Sequence, residues 1–185
     1  MKRTQQLDFF TPKSARQLQE HAQRTEHGGD IRKGKRKLAR PFDKRRPIHL
    51  TLRSERARGD LSMLKVRRAE AIDRLVKRLA AENRIKIYQY ANSGNHLHLL
   101  LHAKDHRGFK RFLRTLGALV ARLVTGAKKG NPTGKFWTAL AWTRIVNWGR
   151  HLFNEGYYVI QNELEAEGLV SYSDRAKSRR QNLKP

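Results

Sequence analysis

The sequence predicts an α+β domain built on an antiparallel sheet. Three observations carry this: stretches with the two-residue period of strands, two of them around a tight turn; two long stretches with the 3.6-residue period of amphipathic helices; and the order in which they follow one another.

The first strand is PIHLTLR (47–53), where Ile48, Leu50 and Leu52 alternate with polar residues. From about 62 to 83, Leu64, Ala71, Ile72, Leu75, Val76 and Leu79 recur at helical spacing while Lys and Arg fill the other face. Ile85, Ile87 and the segment Tyr88 to Tyr90 then precede Asn92-Ser93-Gly94-Asn95 and the apolar run LHLLL, the pattern of a hairpin. A second helix over about 107–125 lines up Phe109, Phe112, Leu113, Leu116, Leu119, Val120 and Leu123, and ends near Gly126. KKGNPTGK (128–135) is a loop by composition, 137–146 can form a last strand, and a final helix over about 148–167 is closed by Gly168. Strand, helix, strand, strand, helix, strand is the split βαβ, or ferredoxin-like, arrangement, with both helices on one face of the antiparallel sheet plus a C-terminal tyrosine-bearing helix. The other face is left to hold a site.

This domain is expected over 47–171. Residues 1–46 are rich in Lys, Arg and Gln, include Gly28 and Gly29, and show no sustained apolar period, so they read as a basic flexible arm; 172–185 reads as a second basic tail. At 185 residues, with 38% hydrophobic and 31% charged residues, one domain with an ordinary core is expected. No cysteine is present, which removes disulfide scaffolds, thiol nucleophiles and cysteine metal sites. No apolar run nears the ~20 residues of a membrane span, and MKRTQQLDFF lacks a secretory apolar stretch, so no membrane partner and a cytoplasmic, bacterial nucleoid-associated location are expected. The net charge of +25 is spread along the chain and not confined to one amphipathic helix, which favours nucleic acid over an anionic membrane.

His96 and His98 lie two apart in the run NHLHLLLH, so a strand turns both imidazoles to one face while Leu97, Leu99 and Leu101 face the core. Two neutral nitrogens on one point suit a divalent metal, with a third ligand still required. His-x-His is a weak signal alone in a chain with 8 histidines; a strand whose face needs an occupant, in a strongly basic chain, strengthens it. His102 shares the face but lies over about 12 Å from His98 at ~3.3 Å per residue, and His49 and His106 read as peripheral. On the last helix Tyr158 and Asn162 are one turn apart and share a face. A phenol with a pKa near 10 needs a polarised phosphate to attack; by spacing alone, Tyr157 or Tyr158 serves equally well to pack the helix on the sheet.

With both motifs in view, the chain resembles the single-tyrosine HUH transposases (His, hydrophobic, His), and within them the REP-associated tyrosine transposases. His96-Leu97-His98 in NHLHLLLH is similar to the family's Asn-His-x-His followed by apolar residues, and YYVIQNELEAEGLV looks like its tyrosine helix ending in Gly-Leu-Val. The resemblance covers about 47–171. It implies that His96 and His98 bind Mg²⁺ or Mn²⁺, that Asn162 completes the metal shell, and that Tyr158 is the nucleophile, with Tyr157 and Gln161 as neighbouring alternatives. It further implies a homodimer that acts on single-stranded or hairpin DNA through a 5′-phosphotyrosine link. Glu163 stands where many relatives have proline, and the N-terminal arm lies outside the pattern. Arg53, Lys110, Arg111 and Arg114, with the basic ends, would follow phosphates, while Trp137, Trp142 and Trp148 suit the core better than base stacking. The competing readings are an HUH replication initiator or relaxase, a domesticated descendant, and a non-catalytic single-strand-binding module on the same fold.

Overall fold

The computed structural model describes residues 25–32, 38–131 and 133–171. Five strands form one sheet: β1 (Glu26–His27), β2 (Ile48–Arg53), β3 (Ile85–Asn92), β4 (His96–Ala103) and β5 (Trp142–Ile145), in the order β1-β5-β2-β4-β3. Every pairing is antiparallel. The helices are α1 (Val66–Glu82), α2 (His106–Thr125) and α3 (Arg150–Ala166). Since β4 lies between β2 and β3, the connection through α1 passes over a strand not yet made. That is the split βαβ order expected from the sequence.

The leucines of NHLHLLLH explain which face closes. Leu97, Leu99 and Leu101 are fully buried, and opposite them Ile48, Leu50 and Leu52 of β2 fill the same layer. Ile72 and Val76 of α1 and Phe109, Phe112, Leu116 and Val120 of α2 pack onto it. Truncating one such leucine to alanine costs about 2–5 kcal/mol. α2 is closed at both ends by its own residues: Asp105 accepts from the Gly108 amide at 2.6 Å, and Gly126 takes the left-handed conformation (φ 69°) that its Cα allows without strain. α1 keeps its outer face in register with ion pairs one turn apart, such as Lys77 with Asp73 at 2.8 Å.

Three expectations change. First, α3 lies across the face left to the site and covers part of it; Gly156 lets the helix approach, its missing Cβ being 3.7 Å from Leu100 and 3.9 Å from Gln89. Second, the last strand begins at Trp142 and not at 137, because Trp137 is tied to α2 through its Nε1–H to Gly117 O at 2.8 Å. Third, the domain does not begin at 47. Of the arm read over 1–46, the described part includes β1, paired with β5, and Phe42, stacked on His106 and Phe109 against the core. A two-residue edge strand and a single aromatic leave no period to read. Gly28 makes the edge pairing feasible: at φ 88°, a Cβ there would sit 2.0 Å from Ala141 O. The rest of the arm and the tail over 172–185 lie outside the described residues.

A register shift between Ile87 and Gln89 carries Tyr88 out of the ladder. It lets Ile85 and Ile87, at odd positions, and Tyr90, at an even one, all serve the core.

Candidate active-site cleft

The register of β2 on β4 sets the site. Thr51 stands opposite His98 and Arg53 opposite His96, so His49, Thr51 and Arg53 share the histidine pair's face. β5 adds Trp142 and Arg144 beside them, and α3 crosses above. The result is an open cleft of about 1070 Å³ whose lining includes His49, Thr51, His96, His98, Tyr158 and Asn162.

His96 and His98 lie ring against ring, 4.6 Å between centroids at 82°. The Nδ1 of His98 is 3.1 Å from Thr51 Oγ1 and 3.2 Å from His49 Nε2, and that of His96 is bonded to Asn95 Oδ1. Tyr158 meets His98 edge-on at 5.5 Å and His49 at 5.8 Å. Asn162, one turn on and buried, donates its Nδ2 to Tyr158 O at 2.6 Å, which orients the amide and assigns its ligand character to Oδ1. Tyr157 is 64% exposed and does not line the cleft, nor does Gln161, which donates to Glu165 at 3.2 Å.

His49, read as peripheral, is central. It is 2% exposed and contacts His98, Tyr158 and Trp142. Its Nδ1 is 2.7 Å from Glu155 Oε2, and Arg144 holds the other carboxylate oxygen at 3.0 Å while bonding Glu26 at 2.7 Å. Burial works to raise the Glu155 carboxyl, but the bond and charge of His49 and then of Arg144 outweigh it and hold the group at about 2. The signal for His49 was present in PIHLTLR: alternation puts it on the face opposite Leu50. What it lacked was the identity of the neighbouring strand. His102 turns away to Lys44 O at 2.9 Å, and His106 stacks on Phe42 at the start of α2.

Among the described residues no group of three His, Asp or Glu side chains is placed to hold a metal ion. The donors that fit are the two imidazoles, with protein bonds on both Nδ1 atoms assigning Nε2 to a ligand role, and the amide oxygen of Asn162. Two imidazole nitrogens and one amide oxygen form a mixed donor set that does not by itself select one divalent ion, and the remaining ligands would come from outside the chain.

The basic residues separate. Arg53 lines the cleft. Lys110 and Arg114, on α2, line a second groove of about 870 Å³ on the helix side of the sheet, together with Arg40, Arg122, Lys128, Lys129, Lys135 and Trp137. Arg111 is exposed on the same helix. Among the described residues no Asp or Glu lines this groove, and Ala139 and Leu140 form a wall common to it and the cleft. Arg40 donates to Thr143 Oγ1 at 2.5 Å, and burial lowers its pKa to about 10. Of the tryptophans, Trp137 packs on the core, Trp142 lines the cleft, and Trp148 is 53% exposed.

No family model and no curated protein matches the chain. Among solved structures, the fold is similar to that of a REP-associated tyrosine transposase bound to a REP hairpin, with a TM-score of 0.52 at 14% identity over 81% of this chain and 88% of that one. A protein of Deinococcus radiodurans R1 described as a candidate transposase gives a TM-score of 0.42 at 16% identity over 69% and 98%. At such identity the first likeness bears on the fold alone, the α+β antiparallel sheet; the second adds no weight.

Proposed function

We propose that the chain is a transposase of the single-tyrosine kind: a metal-dependent endonuclease and strand transferase that cuts single-stranded DNA and rejoins it through a 5′-phosphotyrosine link. The observation that carries this reading is the seating of Tyr158 edge-on to His98, in one cleft with His96 and Asn162. Its fold neighbour's hairpin ligand is the reason to choose hairpin DNA as the first substrate.

The scissile phosphate would lie between His96, His98 and Tyr158. His96, His98 and Asn162 would hold a Mg²⁺ or Mn²⁺ ion, which supplies Lewis-acid polarisation of the phosphate when bound. The Tyr158 oxygen forms a bond to phosphorus as the bond to the 3′ oxygen breaks. The phenolic proton leaves and the departing 3′ oxygen takes one up, so the step needs no net proton. The phosphotyrosine conserves the ester, and a second 3′-OH can reverse the step without ATP. Arg53 would meet the strand in the cleft. The lysines and arginines of the groove, including Lys110 and Arg114, would meet the phosphates of DNA passing the 139–140 wall.

The test is incubation of the protein with labelled hairpin DNA from the flanks of its own gene and Mn²⁺, read on a denaturing gel. A covalent adduct that disappears in Tyr158→Phe and with EDTA is the expected result. Binding without any adduct, across several hairpins, would replace this reading with a non-catalytic nucleic-acid-binding module.

A further inference from the structure

The cleft contains a line of polar contacts that the reaction above does not use. It runs from Glu26 on β1 to Arg144 on β5 (2.7 Å), to Glu155 on α3 (3.0 Å), to His49 on β2 (2.7 Å), and to His98 on β4 (3.2 Å). Five elements each contribute one residue. His151 lies near the same carboxylate at 3.5 Å. No atom of the first four has to touch DNA for the line to act.

Its direction follows from the donor inventory. Glu155 is ionised, since His49 and Arg144 hold it well below the ordinary carboxylate range despite burial. A carboxylate only accepts, so His49 Nδ1–H donates to it. In the neutral form of His49 the one proton is on Nδ1, so Nε2 is the acceptor and the facing Nδ1 of His98 the donor; a charged His49 would donate from Nε2 as well and reverse the order, the outcome that the experiment below separates. The Thr51 hydroxyl, 3.1 Å from the same Nδ1, is a further acceptor. His98 is then the tautomer with its lone pair on Nε2, the form that ligates a metal.

We infer that Glu155 is a positioning residue that, through His49, fixes the ring angle and the Nε2 lone pair of His98, with Glu26 and Arg144 tying the N-terminal strand into the same line. The inference rests on the metal reading of His96 and His98 for its purpose, but not for its test. Glu155 lines the cleft, and its effect on His98 is exerted through His49. The short edge strand acquires a role in the cleft: it supplies the carboxylate that holds Arg144 against Glu155.

The experiment is long-range ¹H–¹⁵N correlation of the histidine side chains in the full chain at pH 8, without metal, followed by Mn²⁺ titration read by the EPR signal of free Mn²⁺. His98 protonated on Nδ1 in the wild type is the expected result. Glu155→Ala should turn it into a tautomer mixture and weaken Mn²⁺ binding about 10–100-fold, the scale of losing an outer partner of a ligating histidine. Glu155→Gln, which keeps an acceptor oxygen, should restore most of both. His98 protonated on Nε2 in the wild type overturns the inference without any variant, and so does an unchanged tautomer in a folded Glu155→Ala. A wild type with the expected tautomer that binds no Mn²⁺ supports the positioning role and overturns the metal reading, so the two failures are distinguishable.

Discussion

The cleft and the groove use the same cations in opposite ways. In the cleft, Arg144 is held between Glu26 and Glu155, and Asp30, Glu55 and Glu165 share the lining with Arg53. In the groove, Arg40, Lys110, Arg114, Arg122, Lys128, Lys129 and Lys135 line a surface to which no described residue adds a carboxylate. Charge that is paired and partly buried holds geometry, whereas unpaired charge along an open groove attracts a polyanion. The contrast recurs between the two helices packed side by side on the core. α1 pairs Arg74 with Glu70, Lys77 with Asp73 and Arg78 with Glu82; α2 carries Arg107, Lys110, Arg111, Arg114 and Arg122 and no acidic residue. A net charge of +25 is thus unevenly available, and a composition count cannot say where.

The sharpest break between the two regions is Tyr158→Phe. It should lower cleavage by about 10⁴–10⁶-fold, the scale of removing a nucleophile, while hairpin affinity in a filter-binding assay stays near wild type. A parallel loss of affinity would mean that the cleft, not the groove, supplies the binding. The converse variant, Lys110→Ala with Arg114→Ala and Arg122→Ala, should reduce the slope of log affinity against log salt by up to about 3, at roughly 0.9 per phosphate contact on duplex DNA. Adduct formation at saturating DNA should persist. An unchanged slope would remove DNA from the groove.

Acid separates the regions next. The folded-state pKa of Glu155, about 2, lies below its ordinary 4.5. Its ion pairs therefore contribute stability that is fully present above about pH 4.5 and lost as pH falls toward 2. Urea midpoints of wild type and Glu155→Gln should differ most at pH 6, narrow as pH falls below about 4.5 and converge only near pH 2 and below; a constant gap would mean that the pairing does not depend on the ionised carboxylate. The smallest effect is expected on α1. Lys77→Ala should cost less than about 0.5 kcal/mol, as exposed pairs one turn apart do, and leave the salt slope unchanged. A reduced slope there would erase the distinction between the helices.

Much of the site was legible. His96 and His98 share a face because a strand alternates, and Tyr158 and Asn162 share one because a helix turns every 3.6 residues. The same rule placed His49 opposite Leu50, yet its part in the cleft was hidden because no local pattern says that Thr51 will stand beside His98. Lys110 and Arg114 were grouped with Arg53 for their charge, and the fold puts them on the helix side of the sheet, away from the histidine pair. The register shift at Tyr88 and the two-residue β1 left no periodic trace.

By itself, then, the sequence determined the three helices and the strands from β2 to β5, their order, the faces of β2, β4 and α2, and the turn at Gly94, because hydrophobic period and turn chemistry act over a few residues. Tertiary structure alone decided that β1 joins the sheet, that α3 crosses the histidine face, and that Glu26 reaches Arg144 across 118 positions of chain. Such contacts depend on which strands become neighbours, and that choice is made by burial of the whole leucine layer at once and not by any segment that takes part in it.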